Sequence, residues 1–512
     1  MRKLLVCALA LLSGLSAAQY PRNGVRLLSQ VSLDQFPGSP TSGAAIYGYT
    51  SASGREYATI GIRNGTAIVE VTNPSVPIVR AHIPGPSSLW HENVVLGDFC
   101  YSVTEGGGGI QIIDLRNIDL GVATLVATYA GNGLDNVHTI QADPSTNRLF
   151  VNGSNRDFVV LDATNPTALV EVGRWTTKYV HDCVIRNFTS GPYAGKQIGF
   201  FFCGVSGLYI VDVTDPGTMV DRGSLNYYPQ AQVNFYCHSG ALTQDGRYLM
   251  VNDEFDENRS LTPSCTTIVV DVADLDNPTV VNRFASGVNT IDHNSHLRDG
   301  FLYLSAYKAG MRVYNAQNPV SLFEVGFFDS YPQSTNANSY DGNWGVYAGF
   351  ASGNVVISDI NSGLFVLDAS EAIGKGAPLT GLTSVYGLVQ GTVADLRYAD
   401  ARRLQIMRTA RYDFTVLAET TKYTRSLVDL TVKGKGTGRF DVLLKNKTTG
   451  QFDVVGALGL TQLERTLNFP NLAAANYVTS SGQIEVRLRT QGNPAATAAV
   501  IDLDMVRATF HN

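Results

Sequence analysis

The chain has 512 residues and a formal net charge of -6, and only 16% of its residues are charged. Lysine and arginine occur in runs of no more than two, which excludes the basic stripe of a nucleic-acid-binding protein. Fifty glycines, 24 tyrosines and 22 phenylalanines point instead to an all-β chain long enough for two or three domains.

Residues 1–18 read as a signal peptide. Arg2 and Lys3 form the positive region, Leu4 to Leu15 the apolar stretch, and Ser16-Ala17-Ala18 a small-residue cleavage site before Gln19. Cys7 follows only three apolar residues and reads as part of that stretch, not as a lipid attachment site. The expectation is a secreted protein, extracellular or at the cell surface. No later run reaches the roughly eighteen apolar residues of a membrane helix, so no transmembrane segment is expected in the mature chain. Five cysteines remain: Cys100, Cys183, Cys203, Cys237 and Cys265. Cys183 with Cys203 and Cys237 with Cys265 each fall within one repeat and are candidate pairs, with buried free thiols as the alternative.

Residues 19–376 carry an internal repeat. The strands AIVEVTNP, IQIIDLRN, FVVLDATNP, LYIVDVTDP, TIVVDVADLDNP, MRVYNAQNP and LFVLDAS share a marker at Glu70, Asp114, Asp162, Asp212, Asp271, Asn315 and Asp368. The markers are spaced 44, 48, 50, 59, 44 and 53 residues apart, in or just above the range of a propeller blade. Four short strands fit into each period, and a seven-bladed β-propeller is expected. The marker acids read as turn acceptors, because Asp before a Thr-Asn-Pro turn caps backbone amides while Pro ends the ladder.

A second column consists of His91, His138, His181, His238 and His293, each opening the first strand of a repeat, with His296 close to the fifth. Equivalent blade positions form a ring, so these imidazoles should converge at one end of the channel. Neutral imidazoles suit a divalent transition metal. Glu92, Asp182 and Asp292 sit beside three of them, and with Trp90 and Trp344 they are expected on the ligand-facing end. The alternative is that the histidines hydrogen-bond neighbouring blades and plug the channel. The Gly106–Gly109 run reads as a hairpin turn.

The run Asn252 to Asn258 is acidic, and Asp253, Glu254 and Asp256 are candidate calcium ligands, although the spacing of a hand-type loop is missing. Residues 377–390 read as a linker. In residues 391–512 the segments SLVDLTVKGKG, RFDVLLKNKTTGQFDVVGAL, ERTLNFP, QIEVRLRTQ and AVIDLDMVRATF alternate apolar and polar residues as a β-sandwich would, with a hairpin turn at Asn446–Gly450.

The motifs YVHDC, YAGKQIGFFF, LYIVDVTDP, YCHSGALTQDGRYLMVNDEFDE, IDHNSH, FEVGFFDSYP and GNWGVYAGFASGNVVISDINSGLFVL lie in order across residues 40–370. They closely resemble the choice-of-anchor B family, whose propeller carries LVIVD repeats. The C-terminal region resembles small jelly-roll modules of bacterial secreted proteins. The resemblance implies export and attachment at the cell surface, with no defined activity. The polar C-terminus points to release, or to retention through the sandwich, in place of a membrane anchor.

Two functions follow from these residues. One is a binding module for an extracellular protein or polysaccharide. The other is a metal-dependent hydrolase or lyase, with Asp182 or Glu92 as base to an ion in the histidine ring.

Overall fold

The computed structural model describes residues 20–228, 235–333 and 338–373, then 379–386, 388–390, 404–407, 413–419, 427–436, 438–460, 465–477, 483–491 and 500–511. Residues 1–18 and Cys7 lie outside the described residues. No described helix is long and apolar enough to cross a membrane.

Among the described residues between Arg22 and Asp368, the strands form seven antiparallel sheets of four or five strands. In the fourth, Asp182–Asn187, Gln197–Phe202, Leu208–Asp212 and Val220–Leu225 follow one another as a meander. The run Phe200-Phe201-Phe202 shows why such units associate. Phe201 packs with Phe150 and Phe158 of the third sheet, whereas Phe200 and Phe202 pack with Leu249 and Val251 of the fifth. A strand that is apolar on both faces needs a neighbour on each side. First strands of successive sheets lie against one another, and this arrangement of small meanders is that of a β-propeller.

Two features set the spacing between sheets. Each marker closes a third strand, and all but Glu70 tie off the turn after it. Asp114, Asp162, Asp271 and Asp368 accept the backbone N–H two residues on at 2.7–2.9 Å, and Asn315 does so at 3.0 Å. Glu70, one carbon longer, takes Arg55 and Arg80 instead. The Arg116 guanidinium beside Asp114 holds its carboxyl below the usual range. That turn then presses on the preceding sheet. A Cβ on Gly173 would stand 1.8 Å from the Pro216 carbonyl oxygen, so only glycine fits.

Three further features complete the fold. The N-terminal segment completes the last two sheets: Arg26–Val31 pairs with Gly363–Asp368, and Arg22–Asn23 with Phe327 and Phe328. Of the two alternatives for the five cysteines, the structure has the buried free thiols and neither candidate pair. Cys183 lies opposite Phe201 in its hairpin, and Cys203 stands two residues beyond that partner. The segment 377–390, expected as a linker, instead carries the strands Leu379–Tyr386 and Leu388–Gln390, which pair with Asp413–Glu419 and Leu404–Met407. These strands belong to two five-stranded antiparallel sheets that run to His511. The sheets touch where Phe469 of one lies over Gly456 of the other. Asn446–Gly450 is the hairpin turn between Gly438–Lys445 and Phe452–Leu460, closed by the Gly450 amide on the Asn446 carbonyl at 2.8 Å.

Candidate functional site

Each histidine of the column sits where a first strand begins, fastened by its backbone to the end of the second strand. The His138, His181 and His293 amides donate to the carbonyls of Asn152, Phe202 and Ser305 at 3.1, 2.8 and 2.9 Å. This common anchor turns four rings into a stack. Centroids of His138 and His181 are 4.2 Å apart, those of His181 and His238 4.2 Å, and those of His238 and His293 4.3 Å. Trp344, the equivalent residue of the seventh sheet, continues it 4.8 Å from His293.

Hydrogen bonds between sheets fix the tautomers. His181 Nδ1 donates to the His238 carbonyl at 2.8 Å, and His293 Nδ1 to the Trp344 carbonyl at 2.6 Å. A carbonyl only accepts, so the proton sits on Nδ1 and Nε2 keeps its lone pair. Burial, then the neighbouring imidazoles, holds His181 and His238 well below the ordinary histidine range. Burial lowers His293 to about 3. These rings are therefore neutral at pH 7.

Glu254 completes the cluster. Its two carboxylate oxygens stand 3.8 Å from His238 Nε2 and 3.8 Å from His293 Nε2, and Oε1 accepts from the Tyr307 hydroxyl at 2.7 Å. Separations of 3.8 Å are long for a hydrogen bond. They are close to the roughly 3.4 Å between ligands that share one tetrahedral ion at about 2.1 Å. Burial raises the Glu254 carboxyl to about 7 against the opposing Tyr307 bond. Sequence reasoning had grouped Glu254 with a calcium loop. No local signal marks it: Cys237 pairs with Asp253 and the Glu254 amide donates to the Tyr236 carbonyl at 3.1 Å, so Glu254 stands opposite Tyr236 and reaches diagonally to His238. Glu105 follows the second strand of its own sheet in the same way and reaches His138 Nδ1 at 2.6 Å.

The other expected residues separate. His91 is buried, but its Nε2 bonds the Pro86 carbonyl at 2.7 Å. His296 faces the channel cavity against Tyr347, and burial lowers it to about 4. Asp292 is absent from the residues lining the channel; its Oδ2 accepts from Asn252 at 2.8 Å. Asp253 is occupied by Tyr227 Oη and the amides of Tyr236, Phe255 and Asp256, so the acidic run does not form a single calcium loop. Trp90 is 40% exposed and Trp344 is buried.

Glu92 and Asp182 line a cavity of about 340 Å³ enclosed by the first strands. Asp182 Oδ1 accepts from Thr139, Gln141 and its neighbour's amide, and Glu92 accepts from Trp344 Nε1 at 2.9 Å. Burial pushes the Glu92 carboxyl up to about 8. The folded protein thus keeps a proton that the unfolded chain releases near 4.5. That stabilisation is full below pH 4.5 and is lost as pH rises towards 8. Glu92→Gln keeps the Trp344 bond and cannot ionise. It should gain on the wild type by about 2 kcal/mol between acid and mildly alkaline pH, with allowance for cavity water. Denaturant curves at the two ends of that range measure the gain, and an equal offset at both ends would mean that Glu92 ionises normally in the fold.

A family model described as the LVIVD repeat matches residues 145–177, which span the last three strands of the third sheet. No curated protein matches the chain. Among solved structures the chain is similar to a protein from Lactobacillus plantarum at 15% identity and TM-score 0.44, covering 56% of this chain and 83% of that one. It is similar to the extracellular domain of a hybrid two-component system from B. thetaiotaomicron at 10% identity and TM-score 0.43. There it covers 77% of this chain and spans less than half, 46%, of the other. It is also similar to the Cps50 (Swd1) β-propeller domain of Myceliophteria thermophila, at 13% identity and TM-score 0.43, covering 67% of this chain and 99% of that one.

Proposed function

We propose that this chain is an exported binding protein of the choice-of-anchor B type, in which a seven-bladed propeller captures an extracellular protein or polysaccharide at a metal-bearing mouth. His238, His293 and Glu254 hold one divalent transition metal, with His181 adjoining. The observation that carries this reading is the convergence of two neutral imidazoles, His238 and His293, and the Glu254 carboxylate, with the His293 Nε2 lone pair left free by its Nδ1 bond. Exposed aromatics favour recognition at that end: Trp90 precedes His91, Tyr179 lies 6.4 Å from His181, and Tyr340 stands edge-on to Tyr307. Closure of the seven sheets is supported by the Tyr47 and Tyr347 rings, 5.2 Å apart across the first and last. The C-terminal pair of sheets serves as a β-sandwich that adds a second contact or retains the protein at the cell surface.

Zinc is the probe. Protein stripped by chelator and dialysed against micromolar zinc should retain about one equivalent, as a built two-histidine, one-carboxylate site would. Retention of less than about a tenth of an equivalent would sink the metal reading.

A further inference from the structure

We propose that Asp256, Glu257 and Asp292 form a second, buried cation site that takes calcium through oxygen ligands alone. The three side chains come from the fifth sheet's loop and from the segment entering the sixth, and one oxygen of each lies within 4.8 Å of the others. Asp256 and Asp292 are fully buried and Glu257 is 3% exposed. Each carboxylate is held by one oxygen. Asp256 Oδ2 accepts from Tyr228 at 2.7 Å, Glu257 Oε1 from the Thr266 amide at 3.0 Å, and Asp292 Oδ2 from Asn252 at 2.8 Å. The remaining oxygens, Asp256 Oδ1, Glu257 Oε2 and Asp292 Oδ1, are buried with no hydrogen-bond donor.

Protein donors thus hold one oxygen of each carboxylate and leave the other buried without a donor in a cluster of three. Buried carboxylates at this separation repel unless a cation or shared protons neutralise them. Among the described residues no lysine or arginine forms an ion pair with any of the three. Oxygen-only ligands of this charge select a hard ion, and flexible loop geometry suits calcium better than magnesium. The Asp256 and Glu257 carboxyls also lie within hydrogen-bond reach of each other, so a shared proton is the competing occupant. The site uses no imidazole and shares no ligand with the zinc-binding reading, although Asp292 adjoins His293 in the chain. An ion there would pin the loop that also carries Glu254.

Terbium reports on the site, because Tyr228 bonds a ligand and can sensitise its emission. Wild-type protein stripped with a calcium chelator should bind about one equivalent of terbium with tyrosine-sensitised emission, and calcium should displace it. Calcium at a hundredfold its Kd should raise the unfolding midpoint by about 5 °C. Asp292→Asn should lower calcium affinity at least tenfold, and Glu257→Gln serves if that variant does not fold. The His238→Asn, His293→Asn protein should keep calcium binding unchanged. Absence of both sensitised emission and a calcium-dependent midpoint in the wild type would overturn the proposal and leave shared protons as the occupant. Undiminished affinity in both carboxylate variants would overturn it equally.

Discussion

A chain lacking residues 1–31 is expected to unfold at a midpoint at least ten degrees below one lacking residues 1–19, or to fail to fold. The segment Arg26–Val31 pairs along the third strand from Leu364 to Asp368, and Arg26 bonds Asp368 at 2.7 Å. Tyr20 packs 5.3 Å from both Phe328 and Phe365, tying the sixth sheet to the seventh. Val25 and Val31 are each 4% exposed. Full burial of such a side chain is worth about 1.5–3 kcal/mol, so losing Val25 and Val31, which are buried, and Tyr20 and Leu27, which are half-buried, removes roughly 4–9 kcal/mol. That is comparable to the total stability of a domain, about 5–15 kcal/mol. Two third-or-fourth strands would also become open edges. Equal midpoints for the two truncations would show that the segment is a peripheral strand and not the latch of the ring.

The second large effect concerns metal. Replacing His238 and His293 together by asparagine should weaken zinc binding by a thousandfold or so, since two ligands go where loss of a mere supporting contact costs about 10–100-fold. Asparagine is the informative choice. Its amide nitrogen stands near the place of Nδ1, so the donor that His293 offers to the Trp344 carbonyl at 2.6 Å can persist while Nε2 is lost. His91→Asn is the control, because His91 Nε2 is engaged by Pro86. Titration with zinc, beside a far-ultraviolet spectrum showing retained strands, separates lost ligation from lost folding. Equal affinities in the double variant and the wild type would make the stack a plug between sheets.

What could be read from the sequence follows the range of the interaction. The markers were legible because an acid that accepts the amide two residues on is a local event, written as Asp-x-Thr before Pro, as at Asp162 and Asp212. The histidine column was legible for the same reason: position within a repeat fixes position in the fold. His91 shares that position yet turns to Pro86, a contact set by the Pro86-Ser87-Ser88 loop alone. Glu254 and Tyr307 reach the imidazoles only through hairpin register, and the Arg26–Val31 strand finds its partner more than 300 residues away. Asp292 looked equivalent to Glu92 and Asp182 because it too neighbours a histidine. It precedes His293 in the segment before the strand that starts at Ser295, whereas Glu92 and Asp182 follow their histidines within first strands that face the cavity.

The most direct test is a crystal of the zinc-loaded protein measured on both sides of the zinc absorption edge. The account predicts one anomalous peak about 2.0–2.1 Å from His238 Nε2 and His293 Nε2 with Glu254 completing the set. A map without a peak there, or with zinc held only by thiols or other groups, would contradict it.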